Sequence, residues 1–498
     1  MKELTLQYDL SPELPNIYGH LDYREFQKTL QKIDEILKKS GLEDQLVDQA
    51  LAKMAAQNKE DSAVFFNGKS GAYYWKNLRY ALRCTIARHL MGESFRKFSI
   101  RLADSSLLQW FTGICAFGQR RAVSKSSLSR YSRHFSVSML EEQIHHWQSS
   151  FLSDAKKAEI IGLNQAIEGG SLFMDSACVK ANIHFPVDWV LLRDAARSLL
   201  SAIKMIRAQG LKHRMMAPAL LMRQMNRLCI EMTHTRRRND SKRQRKSILR
   251  KMKQLSLCIK KHAERYRQLL MTQQEKTTWS PAQVKQVTAR MDNILDQLPA
   301  AIRQAHERII GERVFPSDQK RLSLYEKEAR VIVRGKAGSE VEFGQGLLLA
   351  EQKDGLLVDW KLFKDQPPTD SQLLEGAIRR IEKRYGRIQS VCTDRAFYSQ
   401  ANEQFLKKQN IYSAVCPKSP RQLQERTDDW RFLNLQTRRS QTEARIGIFK
   451  NVFLGKPLRS KGFLNKELTV HWCVLTHNLW VIARMALADE RTVKKKAA

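Results

Sequence analysis

The sequence predicts an α/β protein: a mixed sheet flanked by helices, preceded by a helical N-terminal region and interrupted by a long helical insertion. Three observations lead there. Short apolar, β-rich segments occur near 171–185 and again after 325. The stretch between them, 189–312, reads as long amphipathic helices with no strand texture. Beyond 370, helical patterns and short apolar strands alternate, the order of a sheet covered by helices.

Taken in order, YREFQKTLQKIDEILKKSG is the first clear helix, with Phe26, Leu30, Ile33 and Leu37 on one face and Gly41 as its stop. Residues 76–150 are helix-rich and basic. Within them, Ser124 to Ser127 supply a cap and Ser127, Arg130, Arg133 and His134 decorate an exposed face. Short helices with a Ser- and Arg-rich turn suit a DNA reader of helix-turn-helix type. SLFMDSACVKANIHF reads as a strand. Two long helices follow at about 240–273 and 281–312, split by TTWSP, whose Ser280–Pro281 starts the second. ARVIVRGK, EFGQGLLLAE and LLVDWKLF are strands, with Lys353–Gly355 as a hairpin turn. DSQLLEGAIRRIEKRYG is a helix with Asp370 or Ser371 as cap and Gly386 as stop. IQSVCTD is a buried-type strand ending in Asp394, SQANEQFLKKQN a helix, IYSAVCP a strand, and 436–489 helical. The domain expectation is an N-terminal helical segment (1–75), a helical DNA-binding domain (76–165), a first core strand (166–188), a helical insertion (189–324), the rest of the core (325–489) and a basic tail (490–498).

Charge bounds the function. The 86 Lys and Arg against 51 Asp and Glu leave +35 at pH 7, which implies a polyanionic partner, most simply DNA or RNA held by counterion release. Ten Lys or Arg crowd the run RRRNDSKRQRKSILRKMK, either a solvated helix face or a DNA-backbone contact. The eight cysteines form no C-x-x-C pair, which argues against a zinc site and for free thiols in a reducing compartment. No apolar run of membrane-span length occurs, so the expectation is a soluble intracellular protein.

Three acids occupy privileged places. Asp175 interrupts the apolar strand LFMDSACV, a costly position for a charge unless it is paired or metal-bound. Asp394 ends the strand IQSVCTD, where ligand sites of open α/β sheets lie. Glu443 shares a helical stripe with Arg439 and Lys450, at offsets of four and seven. Three hard oxygen donors suit Mg²⁺, and two such ions about 3.5–4 Å apart would serve phosphoryl transfer. Asp188, Glu340, Glu342, Asp354 and Asp359 compete for these roles on spacing alone. His471, His477 and the Trp residues near them read as packing groups of an apolar last helix.

Several of these strings resemble the DDE transposases of bacterial insertion sequences, whose core is RNase H-like. LFMDSACVKANIHFPVD is similar to that family's first-aspartate strand, ARVIVRGKAGSEVEFGQGLLLAE to the strand pair that follows, and VCTDRAFYS to its second-aspartate motif. Arg439, Glu443 and Lys450 match the last three members of its Tyr–Arg–Glu–Lys signature, with Gln436 in the place of the Tyr. SFRKFSIRLADSSLLQWFTGI resembles the helical domain that precedes the core. The resemblance implies that Asp175, Asp394 and Glu443 bind two Mg²⁺ ions, with Mn²⁺ as a substitute. It implies that Arg439 and Lys450 position the DNA strand; apart from the resemblance, Lys180, Arg395 and Lys418 are candidate phosphate contacts. It also implies strand cleavage at element ends and transfer into target DNA by at least a homodimer, in the cytoplasm on the nucleoid. Two alternatives stay open: a catalytically silent DNA-binding derivative, and a metal-dependent nuclease that does not join strands.

Overall fold

The structure, a computed structural model, describes residues 13–497 apart from 17, 58–68, 115–121, 153, 166, 236–239 and 337–338; of 69–70, 334–336, 339–340 and 493–497 it describes the backbone alone. Arg236, Arg237 and Arg238 of the basic run therefore lie outside the described residues. The chain forms two compact units, Met1–Val179 with Gly346–Ala498, and Lys180–Gln345.

The first unit opens with helices α1 (Leu21–Lys39), α2 (Leu42–Gln57), α3 (Lys69–Leu90), α4 (Phe95–Asp104), α5 (Ser106–Thr112), α6 (Lys125–Tyr131), α7 (Val137–Leu152) and α8 (Ala155–Ile160). The expected helix at YREFQKTLQKIDEILKK is α1, with Leu30, Ile33, Ile36 and Leu37 buried. Arg83 is buried at the centre of this layer. It donates to Glu43 at 2.5 and 2.8 Å, to Asp34 at 2.6 Å and to the Phe111 carbonyl at 2.8 Å, joining α1, α2, α3 and α5. Its charge is tolerated there because two carboxylates and a carbonyl share it. Ser124 caps α6 by accepting from the Ser127 amide at 3.1 Å, as the sequence predicts.

The sheet contains β1 (Ser171–Lys180), β2 (Arg330–Lys336), β3 (Ser339–Gln352), β4 (Leu357–Leu362), β5 (Ser390–Thr393) and β6 (Tyr412–Val415). Its order is β2-β3-β1-β5-β6, with β4 paired to β3. The β1–β5 and β5–β6 pairs are parallel; β2–β3 and β3–β4 are antiparallel. This is the mixed sheet that the sequence predicts, with its strands near their expected places.

Helices α13 (Asp370–Tyr385) and α14 (Gln400–Lys408), numbered after those of the second unit, cover one face of the sheet. Their Leu374, Ala377, Ile378 and Leu406 pack with Leu172, Met174, Leu348, Ala350 and Val391. Thr369, rather than Asp370 or Ser371, caps α13 in a reciprocal capping box with Gln372. A hydroxyl one residue earlier leaves Asp370 inside the first turn, where its charge meets the positive helix end. The opposite face packs against α15 (Pro420–Thr427), α16 (Trp430–Ile448) and α17 (Phe463–Ala497). β4 is an edge strand, and Asn478 of α17 covers it. The Asn478 amide oxygen accepts from the Leu357 amide at 3.0 Å and its nitrogen donates to the Leu357 carbonyl at 2.9 Å. Gln148 of α7 donates to the same carbonyl at 2.8 Å. Such covering satisfies groups that an edge would otherwise offer to another chain.

The second unit holds α9 (Asp188–Ala208), α10 (Pro218–His234), α11 (Ser241–Thr272) and α12 (Pro281–Ala305), together with β2 and the start of β3. Leu192, Leu199, Ile203, Met252, Ile259, Tyr266, Met291 and Leu298 form its own core. Ser280 and Gln283 build the capping box that starts α12. The helix ends at Ala305 and continues as a π turn to Ile310. The seven described cysteines are free. Among the described residues no helix is long and apolar enough to cross a membrane.

His89, His145, His471 and His477 are buried in the first unit. Burial pushes all four down, His145 to about 3 and His477 to about 4. They are therefore neutral in the folded chain, whereas an unfolded His takes up a proton near pH ~6.5. A depressed folded value gives stability that is complete above about pH 6.5 and is lost as pH falls toward the folded values. The expected outcome is a flat Tm between pH 7 and 8 and a steady fall between about pH 6.5 and 4.5, measured by circular dichroism. A Tm that stays level through that window contradicts the neutral assignments.

Candidate active site

Alternation along the strands sorts side chains to the two faces of the sheet. Leu172 and Met174 of β1 and Val391 of β5 point to α13 and α14, while Phe173 and Cys392 point to the α16 side. Asp175 therefore shares the α16-side face with Phe173 and Ala177, and Asp394 lies two positions after Cys392. The register pairs Phe173 with Cys392, so Asp175 and Asp394 each lie two residues past that pair. Neighbouring strands run about 4.8 Å apart. Asp175 thus lies within β1 and Asp394 immediately after the carboxyl end of β5, each just beyond the last paired residues of these adjacent parallel strands. Both are half-buried. Asp394 Oδ1 accepts from the Ala396 amide at 3.0 Å, which caps the single 3₁₀ turn at Arg395–Phe397. Asp175 Oδ1 accepts from the Ser176 amide at 2.7 Å.

The helix above this face is fixed by a group that the sequence reading passed over. Glu351, at the end of β3, is 2 % exposed. Its Oε1 accepts from Thr442 Oγ1 at 2.7 Å, from Arg438 at 3.1 Å and from Arg445 at 3.5 Å, all on α16. Arg438 lies 4.5 Å over the Phe173 ring and also donates to the Lys353 carbonyl. Burial lowers the Arg438 pKa from its ordinary value while Glu351 opposes that shift. Gly355, at φ +93°, sits against the Arg445 guanidinium, where a Cβ would fall 2.6 Å from its carbon. The left-handed φ favours glycine at this turn, and a Cβ would also push the Arg445 guanidinium aside.

The adjacent stripe of α16 carries Gln436, Arg439 and Glu443. Gln436 Nε2 donates to the carbonyls of Thr393 at 3.1 Å and Ala414 at 2.6 Å, so the helix is stitched to the carboxyl ends of β5 and β6. Its Oε1 accepts from Arg439 Nε at 3.1 Å, and Arg439 donates to Glu443 Oε1 at 2.8 Å. Of the stripe that the sequence predicts, Arg439 and Glu443 join Gln436 in a chain of hydrogen bonds from the Thr393 carbonyl, whereas Lys450 falls past the end of α16, where the π turn breaks the α-helical offset of seven. Cys392, beneath it, is pushed up to about 12 by burial, with Arg439 and Arg438 opposing; it is an inert thiol.

Among the described residues no three His, Cys, Asp or Glu side chains form a group that could hold a metal ion. Glu443 instead rests on Arg439, with its side chain 59 % exposed. Arg395 is exposed beside Asp394, and Lys450 is half-buried in the π turn Phe449–Leu454. Lys180 pairs with Glu342 at 2.9 Å within the second unit. Of the competing acids, Asp359 pairs with Arg380 at 2.6 Å and Asp188 with Arg308 at 2.8 Å. Asp354 is half-buried in the turn after β3, and burial raises its pKa. The Glu340 side chain lies outside the described residues. Of two further neighbours, Asp370 was read from the sequence only as a helix cap, and Asn402 was not singled out. Asp370 Oδ2 accepts from Ser176 Oγ at 3.0 Å on the other face of β1. Asn402 donates to the Ser371 and Phe397 carbonyls at 2.8 and 2.7 Å, tying the start of α13 to the loop after Asp394. His477 packs among Phe449, Phe453 and Trp480 and His471 against Trp360, as expected of packing groups.

Asp175 and Asp394 are hard carboxylates of the kind a divalent cation takes, while Glu443 stays on Arg439 and does not join them in this structure. Removing the buried Glu351 should leave two guanidiniums unpaired under α16. Glu351→Ala is expected to lower stability by about 3–5 kcal/mol, read as a drop in the urea midpoint. A loss within 0.5 kcal/mol would contradict the clasp.

Residues 346–479 match the family model described as the transposase DDE domain. No curated protein and no solved structure matches the chain.

Proposed function

We propose that this chain, whose residues 346–479 match the transposase DDE domain, is an active DNA transposase that cleaves a strand at the ends of its element and joins the freed end to target DNA. The observation that carries this reading is that Asp175 and Asp394 each lie two residues past the paired Phe173 and Cys392, next to the helix that carries Arg439 and Glu443. In the first step a water oxygen attacks the phosphorus at the element end; its P–O bond forms as the P–O3′ bond breaks, one water proton passes to solvent and the leaving 3′-oxygen takes up a proton, giving a 5′-phosphate and a 3′-hydroxyl. In the second, that hydroxyl attacks a target phosphodiester in line, a new P–O3′ bond forms, and the target's own 3′-oxygen leaves with a proton. Asp175, Asp394 and Glu443 would hold divalent cations, Mg²⁺ or Mn²⁺, and when bound these would activate the attacking oxygen and neutralise the leaving one.

The chain's own residues do the positioning. Arg439 exchanges its Glu443 partner for a backbone phosphate, which frees the Glu443 carboxylate to turn to the aspartates. Gln436 keeps the Arg439 guanidinium aimed during that exchange, since it holds Nε from the strand ends. Lys450 and Arg395 add phosphate contacts, and Lys180 serves a flanking phosphate. The +35 net charge supports long-range capture of DNA. Two element ends must be held together, so the working complex contains at least two copies.

Glu443→Gln removes a charge but keeps the shape of an exposed side chain. It should reduce Mg²⁺-dependent cleavage of labelled end DNA by at least a hundredfold while leaving DNA affinity, measured by fluorescence anisotropy, within about threefold. Cleavage retained by this variant would sink the role assigned to Glu443.

A further inference from the structure

A cavity of about 240 Å³ lies in the first unit, with Arg88, His89, Phe95, Arg133, Arg459 and Lys461 in its lining. At roughly 30 Å³ per water it has room for a tetrahedral oxyanion with bridging waters. Its charge is one-sided. Arg88, Arg133, Arg459 and Lys461 line it, and no carboxylate does. Elsewhere in this unit, enclosed guanidiniums are matched to acids: Arg83 to Glu43 and Asp34, Arg380 to Asp359, Arg438 to Glu351. Among the described residues none of the four cavity cations makes an ion pair. The nearest acid in sequence, Glu93, is turned to Arg101 at 2.8 Å.

Arg88 is held in place and left short of a partner. Its NH1 donates to the Glu93 carbonyl at 3.2 Å, its NH2 meets His89 Nε2, and its guanidinium stacks 4.4 Å from the Phe95 ring. His89 is neutral, because burial drives its pKa far down. With Nδ1 against the Phe453 carbonyl, its Nε2 lone pair faces Arg88. Arg88 Nε is buried with no hydrogen-bond partner. Burial, with Arg459 adding to it, brings the Arg88 pKa down to about 10. A guanidinium held in one orientation, with an unmet donor and further cations around it, calls for an anion. Ser129, Ser132 and Thr469 supply hydroxyls to the lining; Arg96, Lys97 and Arg130 are exposed on the adjoining helices and Arg133 in the turn after α6.

We propose that this cavity binds a backbone phosphate of DNA, as a docking site separate from the strand ends that carry Asp175 and Asp394. The inference rests on the transposase reading only for DNA as the partner. The phosphate enters between Arg88 on α3, Arg133 after α6 and the Arg459–Lys461 segment before α17. It thereby ties the Ser- and Arg-rich turn, which the sequence marks as a DNA reader, to the helix that covers β4. Because the groups recognise phosphate and not base edges, the contact adds affinity without sequence preference.

The test uses the full-length chain with Arg459→Ala, Lys461→Ala and the pair together, and with Arg88→Gln as a second variant, each checked for an unchanged Tm in salt. DNA affinity is measured against salt by anisotropy on an end sequence and an unrelated duplex. Each surface substitution should weaken both duplexes about equally, by about tenfold, and reduce the salt slope by about 0.9 per lost contact. Affinity and slope unchanged in the double variant overturn the proposal. Inorganic phosphate raising the wild-type Tm but not that of the variants, with DNA affinity unaltered, overturns it in favour of a free-anion site. Absence of DNA binding by the wild type would instead defeat the transposase reading itself.

Discussion

The rest of the site depends on one buried carboxylate. Glu351 has no water to solvate it, and α16 supplies what water would: the hydroxyl of Thr442 and the guanidiniums of Arg438 and Arg445. An enclosed charge with three donors from one helix permits few placements of that helix, because sliding by one turn would leave the carboxylate and both guanidiniums unpaired. Gln436 adds a second fixed point at the ends of β5 and β6. Between these two points the orientation of α16 is settled by hydrogen bonding, with Phe432 packed on Cys392, Phe173 and Ala414.

A helix fixed on one stripe leaves the next free for chemistry. Arg438, Thr442 and Arg445 face β3, and Gln436, Arg439 and Glu443 begin at the carboxyl end of β5. The first stripe is enclosed and structural. In the second, the Arg439–Glu443 bond is an i,i+4 pair with an exposed acid, worth only a few tenths of a kcal/mol. Such a pair opens at little cost when a phosphate competes for the arginine. The same charge logic, with the acid missing, marks the Arg88 cavity.

Much of this was legible in the sequence. The β1 strand could be read from LFMDSACV and the β5 strand from IQSVCTD because their apolar runs are short and bounded. Asp175 and Asp394 stood out against those runs, and the offset of four from Arg439 to Glu443 fixed their pairing on any helix. The register that pairs Phe173 with Cys392, two residues before each aspartate, was not legible, since it depends on strands more than two hundred residues apart. Glu351 was missed for the same reason: it ends an ordinary strand, and its partner Arg438 is 87 positions away. The cap at Thr369 in place of Asp370 or Ser371 shows a smaller limit, since three consecutive residues can all cap a helix and only the Gln372 contact decides among them.

The most direct test of the central claim is the location of metal in the working complex. Crystals of the chain with element-end DNA, soaked in Mn²⁺ and measured at the manganese edge, would locate the ions by their anomalous signal. The account predicts ions held by Asp175 and Asp394 with Glu443 turned from Arg439 to meet them, and Arg439 on a phosphate. Ions bound by the two aspartates with Asp354 or another acid, and Glu443 still on Arg439, would contradict it.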